Sequence, residues 1–311
     1  MHPSFPAFWV KKIYWAERGA MAIRRAAKRA QVVVISHYHY DHYLPGETGI
    51  YKGKLLLAKN PNEYINDSQR TRAEEFFDNL CRVFGKKPLG EMVEEGERAS
   101  YPNPLDELPR ARKKDFGDYN ERRKQLLGLG LRWFENRVRR WNGAPRIPEL
   151  KFPGVEVRFP EGREFRFGRT VLRFTRPLFH GIEFSRVGWV FATVIERGKE
   201  KLIHSSDVDG PMIEDYADWI VKEDPRVLIL DGPTTYMRFM LIRRNLERCI
   251  ENARRIIRET TKLELLIYDH HLVRERNFRE NTRQVWEEGR REGVRVLTAA
   301  EFLGKKPAVL R

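Results

Sequence analysis

Apolar residues follow two different periods along this chain, and each period predicts a different kind of element. QVVVIS at 31–36 is apolar almost throughout and rich in β-branched residues, which is typical of a strand buried on both faces. Residues 8–30 instead place apolar and basic residues at helical spacing, which predicts an amphipathic helix. KLLLAK at 54–59 predicts a second short strand before the pattern changes.

The chain between residues 62 and 150 is dominated by charged residues. Its first and last parts, RTRAEEFFDNLCRVFG and YNERRKQLLGLGLRWFENRVRRW, place apolar residues at helical spacing. A stretch rich in proline, glycine and acidic residues separates them and is typical of loops. We therefore interpret 62–150 as a charged helical insertion within a single domain that spans residues 1–311.

The second half of the chain begins with strands and then alternates helices with strands. VEVRFP, EFRFG, TVLRFTRP, WVFATVIE and KLIHSS follow one another with short connections, which predicts neighbouring antiparallel strands. Such an order favours the α/β class, with mixed sheets packed as a sandwich. The later elements are predicted as helix 213–223, strand 226–231, helix 237–260, strand 263–268, helix 277–292 and strand 294–298.

The charge balance narrows the range of partners. Lysine and arginine number 59 against 44 acidic residues, so the formal net charge is +15. A balance this basic favours a polyanionic partner, and nucleic acid or another phosphorylated substrate is the first candidate. The alternative is a densely charged surface adapted to heat, where ion-pair networks are common.

Cysteine content and hydropathy bear on the compartment. The two cysteines, Cys81 and Cys249, lie in helical patterns without a second cysteine or a histidine at ligand spacing. We interpret them as free thiols in a reducing compartment. The first fifteen residues lack the apolar core of a signal peptide, and no apolar run is long enough to span a membrane. The sequence thus predicts a cytoplasmic protein.

Potential metal ligands gather where predicted strands end. ISHYHYDHYLP at 35–45 carries three histidines and an aspartate directly after the first strand. A sheet fixes the position of a strand end, and the following loop can turn side chains towards a common point. Imidazoles with carboxylates suit zinc, with manganese or iron as alternatives. Further candidates after strands are His180, Asp207 or Asp209, Asp231, and His270 or His271.

The motif HYHYDH resembles the signature of the metallo-β-lactamase superfamily, and the later histidine, aspartate and histidine follow in the order seen there. The tracts HGIEFSRVGWV, HSSDVDGP, ILDGPTTY and YDHHLVR look most like an uncharacterised archaeal branch of predicted hydrolases within it. The resemblance implies an αββα sandwich and two divalent metal ions. Members normally begin with strands ahead of the motif, and here those N-terminal strands are apparently lacking.

The resemblance also implies a role for each ligand. Asp207 would bridge the two ions, and it is preferred to Asp209 because HSSD resembles a tract of the RNA-processing members. His270 is preferred to His271 because it comes first after the strand. Asp231 would support a ligating histidine as a second-sphere residue. One ion would be held by His37, His39 and His180, and the other by Asp41, His42 and His270.

The expected chemistry is hydrolysis by a metal-activated water, with Asp41 and Asp207 as the catalytic carboxylates. Because the chain is so basic, the favoured substrate is a phosphodiester, most simply nucleic acid. One alternative is a small-molecule hydrolase of the lactonase or thioesterase kind, which a deep apolar pocket would favour. Another is a non-catalytic, nucleic-acid-binding scaffold. Tyr38 and Tyr40, between the ligands, either line the pocket or pack beneath it.

Overall fold

The computed structural model describes residues 5–237 and 241–311, and within these ranges strands form two mixed sheets and a short pair. This confirms the predicted α/β class. The strands are β1 (Val32–Ile35), β2 (Lys54–Ala58), β3 (Leu150–Phe152), β4 (Val155–Arg158), β5 (Glu164–Phe167), β6 (Thr170–Phe174), β7 (Leu178–Phe179), β8 (Trp189–Val190), β9 (Thr193–Arg197), β10 (Glu200–His204), β11 (Val227–Asp231), β12 (Leu265–Asp269) and β13 (Arg295–Leu297).

Helices connect and cover these strands, and most of the predicted ones are found close to their expected positions. They are α1 (Trp9–Arg29), α2 (Asp67–Leu80), α3 (Pro109–Lys113), α4 (Asn120–Gly143), α5 (Glu214–Glu223), α6 (Arg243–Glu259), α7 (Phe278–Asn281), α8 (Arg283–Glu292) and α9 (Ala299–Phe302). None of the described helices combines the length and the apolar character that crossing a membrane requires. The predicted cytoplasmic location stays a prediction.

The two sheets are built differently. The first has the order β1-β2-β4-β3, with β1, β2 and β4 parallel and β3 antiparallel to β4. The second has the order β13-β12-β11-β10-β9-β6-β5, in which β10 to β13 are parallel and β9, β6 and β5 form antiparallel pairs. Because β10, β11 and β12 run in parallel, their carboxyl ends meet at one edge of the sheet.

The sheets pack face to face through apolar side chains. Leu57 of β2 forms a buried cluster with Leu172 and Phe174 of β6. The neighbouring residue Leu56 points to the other face of β2, since strand side chains alternate, and it joins the large core that includes Phe77 of α2. Sheet against sheet with helices outside is the predicted αββα arrangement.

The segment 62–150 connects β2 to the β3–β4 pair and carries α2, α3 and α4. Asn66 begins α2, because its side chain accepts a hydrogen bond from the Gln69 backbone N–H at 2.8 Å. Aromatic side chains of α2 and α4, including Phe77, Phe134 and Trp141, are buried in the main core. The segment therefore contributes to the core of the domain as well as to its surface.

Two element boundaries differ from those predicted. Helix α6 begins at Arg243 instead of about 237, because Ile242 is extended with a ψ of 150°; residues 238–240 lie outside the described ranges. The predicted helix 277–292 is divided between α7 and α8 at Thr282, whose hydroxyl donates to the Phe278 carbonyl. From residue 5 onward, α1 is the element that precedes β1, as the apparent lack of N-terminal strands predicted.

Candidate metal centre

Strand ends deliver the predicted ligands to one edge of the sandwich. His37 follows β1, His180 follows β7, Asp207 follows β10 and His270 follows β12. The turns at these ends are tight: His270 has a φ of 59°, and Ser206, next to Asp207, has a φ of 56°. Such left-handed backbone is unfavourable for residues other than glycine and is found preferentially at functional sites.

The first predicted ligand set converges on one point. His37 Nε2 lies 3.1 Å from His39 Nδ1 and 3.4 Å from Asp207 Oδ2. His180 Nε2 lies 3.3 Å from the same Asp207 oxygen. The ligand atoms of these four residues are all within 4.8 Å of one another, close enough to bind a single metal ion.

The second predicted set lies beside the first and shares Asp207 with it. His42 Nε2 is 3.3 Å from His270 Nε2, and His270 Nε2 is 3.7 Å from Asp41 Oδ2. The Asp207 Oδ2 atom is 3.0 Å from His42 Nε2 and 3.4 Å from His270 Nε2. Asp207 thus stands between the two sets, in the place expected of a bridging carboxylate.

Several buried polar atoms at this point lack a hydrogen-bond partner in the part of the chain that the structure describes, and bound cations could take that place. Both ring nitrogens of His180 and Oδ2 of Asp207 are buried without a hydrogen-bond partner among the described residues. An unsatisfied buried polar atom is costly, and a buried carboxylate surrounded by imidazole nitrogens can be satisfied by metal ions. The donor set, imidazoles with carboxylates and no thiolate, fits zinc, manganese or iron.

Burial keeps two of the histidines in the form that binds metals. Burial is the largest influence on His39 and lowers its pKa to about 3, with the charge of His180 acting in the same direction. Burial likewise lowers the pKa of His37 well below its usual value. Both imidazoles are therefore neutral near pH 7, as metal ligation requires.

The carboxylates are held in their ionised form by the groups around them. Burial opposes the ionisation of Asp207, but His42 and His270 outweigh it and hold the pKa well below its usual range. Burial also opposes ionisation of Asp41, and there His42, His270 and the guanidinium of Arg274 lower the pKa. Arg274 donates a hydrogen bond to Asp41 Oδ2 at 2.7 Å, which also fixes the direction of this carboxylate.

The alternates Asp209 and His271 form a buried group with Asp231, and His271 also forms a potential ligand group with Asp207 and His270. His271 Nδ1 lies 2.9 Å from Asp209 Oδ1 and 2.9 Å from Asp231 Oδ2. Its Nε2 points towards the centre and is 3.8 Å from Asp207 Oδ2. Asp231 therefore supports His271 rather than His270, while the preferred His270 is the histidine that approaches Asp41 and His42. The choice of His270 as a ligand stays a prediction.

Gln69 reaches the centre from α2, and sequence patterns did not single it out. Its Oε1 accepts the backbone N–H of Tyr38, between two predicted ligands, at 3.1 Å. Its Nε2 donates to the Val187 carbonyl at 2.8 Å and contacts the His39 ring at 3.3 Å. A glutamine in a charged helical pattern carries no signal for this contact. Only the Asn66 cap, which sets where α2 begins, is visible in the sequence.

The two tyrosines between the ligands have different roles. Tyr38 is fully buried, and its hydroxyl donates to the Lys59 carbonyl at 2.5 Å, so it packs beneath the centre. Tyr40 is 59% exposed and lines a pocket beside the centre. The histidines of the motif thus face the centre, whereas Tyr38 is directed away from it.

An open pocket of about 660 Å³ lies directly beside the predicted ligands. His39, Asp41 and His180 form part of its wall. The remaining lining combines apolar side chains with arginine, tyrosine and small polar residues. Apart from those three, the residues that line it are Tyr40, Arg72, Gly181, Ile182, Ser185, Val187, Asp209, Met212, Thr234, Tyr236, Met237, Leu241, Asn245, His271 and Arg274.

Comparison with known proteins identifies archaeal relatives. No model of a protein family matches the chain. UPF0282 protein MK0213 of Methanopyrus kandleri is 31% identical over 302 residues, which cover 93% of this chain and 77% of that protein. The chain belongs to the UPF0282 family. UPF0282 protein MJ1629 of Methanocaldococcus jannaschii is 30% identical over 295 residues, covering 91% of this chain and 73% of that protein. The predicted relationship to an uncharacterised archaeal branch is thus confirmed.

A solved structure gives a more distant similarity to this UPF0282 protein. The metallo-β-lactamase fold protein YhfI from Bacillus subtilis aligns over 88% of this chain and 76% of its own, with 10% identity and a TM-score of 0.38. This similarity is too distant to support a statement about the site or the activity of this protein.

Proposed function

We propose that this protein is a metal-dependent hydrolase that holds two divalent ions. The observation that carries the proposal is the position of Asp207, whose Oδ2 lies 3.0–3.4 Å from one nitrogen each of His37, His42, His180 and His270. These histidines come from three separate parts of the chain. Packing alone does not explain why they converge on one buried carboxylate, because apolar residues would fill the space at a lower cost in folding free energy.

The residues divide the work in the proposed hydrolase. His37, His39 and His180 would hold one ion, Asp41, His42 and His270 the other, and Asp207 both. Two such ions would supply Lewis acidity and lower the pKa of a water molecule so that hydroxide forms near neutral pH. Asp41, ionised and fixed by Arg274, is partly exposed to the pocket and would orient that water.

The proposed substrate class is phosphodiesters, including nucleic acids. The oxygen of water would add to phosphorus, one P–O ester bond would break, and the leaving oxygen would take up a proton to give an alcohol and a phosphate monoester. Support comes from the net charge of +15 and from two arginines, Arg72 and Arg274, in the pocket wall. Cationic side chains stabilise the charge that develops on phosphoryl oxygens.

A second candidate is a hydrolase of small carboxylic esters, of the lactonase or thioesterase kind. The observation that favours it is the pocket itself, because Ile182, Val187, Met212, Met237 and Leu241 give it an apolar wall. A pocket of this volume is typical of small-molecule sites. A non-catalytic scaffold that binds nucleic acid is the third candidate, and nothing in such a role requires the ligands around Asp207 to be kept together.

The Asp41→Ala variant tests the proposed function. Elemental analysis should find close to two zinc, manganese or iron ions per purified chain. The wild-type protein should hydrolyse bis(p-nitrophenyl) phosphate, and the variant should lose about 100-fold or more of this rate while its circular dichroism spectrum is unchanged. The matched control is Asp106→Ala, which removes an exposed carboxylate paired with Arg112.

Two results would contradict the proposal. One is a folded, active protein without bound transition metal. The other is an Asp41→Ala variant with wild-type turnover. Parallel assays of a lactone and a thioester distinguish the second candidate from the first. A protein that retains its ions but hydrolyses none of these substrates while binding nucleic acid would support the scaffold.

A further inference from the structure

The pocket beside the centre is a cavity of limited volume with a partly apolar lining. Here the cavity measures about 660 Å³, within the range of sites for small organic molecules. Substrate identity can therefore be sought in the lining of the pocket.

Apolar side chains line part of the pocket at both buried and exposed positions. Met212 and Leu241 are buried at 4% and 8% exposure, whereas Ile182 and Val187 are exposed by 37% and 38%. Ile182 and Val187 lie in the connection between β7 and β8, close to the predicted ligand His180. Apolar side chains that meet solvent at the mouth of a cavity are favourable contact points for an apolar ligand.

Arg72 supplies a positive charge that no described carboxylate neutralises. It donates to the carbonyl and the hydroxyl of Ser68, both on its own helix α2, and its guanidinium lies over the Tyr40 ring at 5.2 Å. The other arginine of the pocket, Arg274, is already paired with Asp41. Arg72 is therefore available to bind an anionic group, and its stacking on Tyr40 limits the directions in which the guanidinium can point.

We propose that the pocket binds a compact organic anion as substrate. The apolar body of this molecule lies against the wall formed by Met212, Leu241 and Ile182. Its anionic group, a carboxylate or a phosphate, pairs with Arg72, and its ester bond lies beside Asp41. This inference rests on the proposed hydrolase function and narrows its substrate class. It also makes Arg72, in the segment 62–150, one of the residues that select the substrate.

A binding experiment on the metal-loaded protein tests the recognition without turnover. Calorimetric titration compares 4-phenylbutyrate with the neutral 4-phenylbutanamide, which has the same apolar body. The wild type should bind the anion about tenfold more tightly. The Arg72→Gln variant should lose this preference, and Arg82→Gln should keep it, because Arg82 lies just beyond α2, is 61% exposed and does not line the pocket.

The apolar wall is tested by a second pair of variants. Ile182→Ser should weaken the binding of both probes about three- to tenfold, whereas Ile13→Ser should leave it unchanged. Ile13 is also a surface isoleucine, exposed by 54% on α1, away from the pocket lining. Equal binding of the two probes by the wild type, or an Arg72→Gln variant with the wild-type preference, would overturn the inference.

A kinetic experiment separates failure of this inference from failure of the hydrolase proposal. The substrates are mono-p-nitrophenyl glutarate, which is anionic, and p-nitrophenyl pentanoate, which is neutral and of similar length. For Arg72→Gln we expect kcat/KM to fall about tenfold more on the anionic ester than on the neutral one, chiefly through a higher KM. Turnover of both esters with equal effects of the variant overturns the anion site alone, and no turnover of any ester or phosphodiester overturns the hydrolase. Polyuridylic acid could also compete with the esters for the protein. If Arg72→Gln and Arg82→Gln weakened this competition equally, the result would favour nucleic acid and contradict the compact substrate.

Discussion

Single residues around Asp207 show how an extended motif becomes a three-dimensional centre. His37 and His39 are separated by one residue after the end of β1 and meet in space, and their spacing in the sequence was sufficient to predict this. Their position relative to Val187 depends on Gln69, which joins the Tyr38 backbone N–H to the Val187 carbonyl. That contact crosses more than a hundred residues of chain, so no local pattern encodes it.

Replacement of Gln69 tests its role as a positioning residue. Gln69→Leu removes both backbone hydrogen bonds and should lower zinc affinity about 10- to 100-fold, because supporting contacts hold metal ligands in place. Competition with a chromogenic chelator measures the affinity. Gln69→Glu, which keeps the acceptor for Tyr38, should recover part of the loss.

The matched control for this pair is Thr71→Ala, since Thr71 is exposed on the same helix and bonds only within it. If Gln69→Leu lowered thermal stability but left zinc affinity at the wild-type value, Gln69 would serve the core and not the centre.

The elements that carry the ligands could be predicted more completely than their contacts. Strands β1, β10, β11 and β12 were predicted from β-branched and apolar runs, since strands buried on both faces have this composition. The start of α6 and the division between α7 and α8 were wrong in the prediction, because they depend on a loop conformation and on the hydroxyl of Thr282. Local periodicity does not encode either feature.

A buried charge network ties three of these elements together. Arg248 of α6 donates to Glu183, three residues after His180, and to Glu214 of α5. Arg123 of α4 also donates to Glu183 at 2.8 Å. The side chains of Arg248 and both glutamates are at most 6% exposed. The connection that carries His180 is therefore held to the helices by paired charges.

Removal of Arg248 should be strongly destabilising. In Arg248→Met two buried carboxylates lose their central cation, and we expect the free energy of unfolding to fall by about 3–5 kcal/mol, measured by urea denaturation. Arg243→Met, on the same helix but 92% exposed and paired with Glu247, should cost less than about 1 kcal/mol. Equal effects of the two substitutions would show that the buried network contributes nothing beyond a surface pair.

At the scale of the whole molecule, the proposed ions would link the two sheets. His37 follows β1 of the first sheet, whereas Asp207 and His270 follow β10 and β12 of the second. The αββα arrangement could be predicted from the order of elements and the resemblance, but the packing of Leu57 on Leu172 and Phe174 could not. The net charge of +15 keeps nucleic acid as a predicted partner.

Removal of the ions should lower the stability of the entire domain. A ligand that binds only the folded state stabilises it by about 2.7 kcal/mol at a concentration 100 times its Kd. We therefore expect EDTA to lower the Tm of the wild type by about 5 °C or more, as followed by calorimetry. EDTA should change the Tm of Asp207→Asn far less, because this variant has lost the carboxylate that both ions would share. A wild-type Tm that EDTA does not change would contradict the bound ions.

The spacing of the ligands has a mechanical consequence. His42 and His270 lie 228 residues apart in the chain but 3.3 Å apart in space. An ion that joins them would be a cross-link that closes a loop with a contour length of about 800 Å. Tension applied to the two ends of the protein would act on the ion and its ligands before it acted on the loop. The elements outside the loop, which are α1, β1 and those after β12, would therefore unfold first. Most of the fold would then lie between two parts of the chain that the ions hold together.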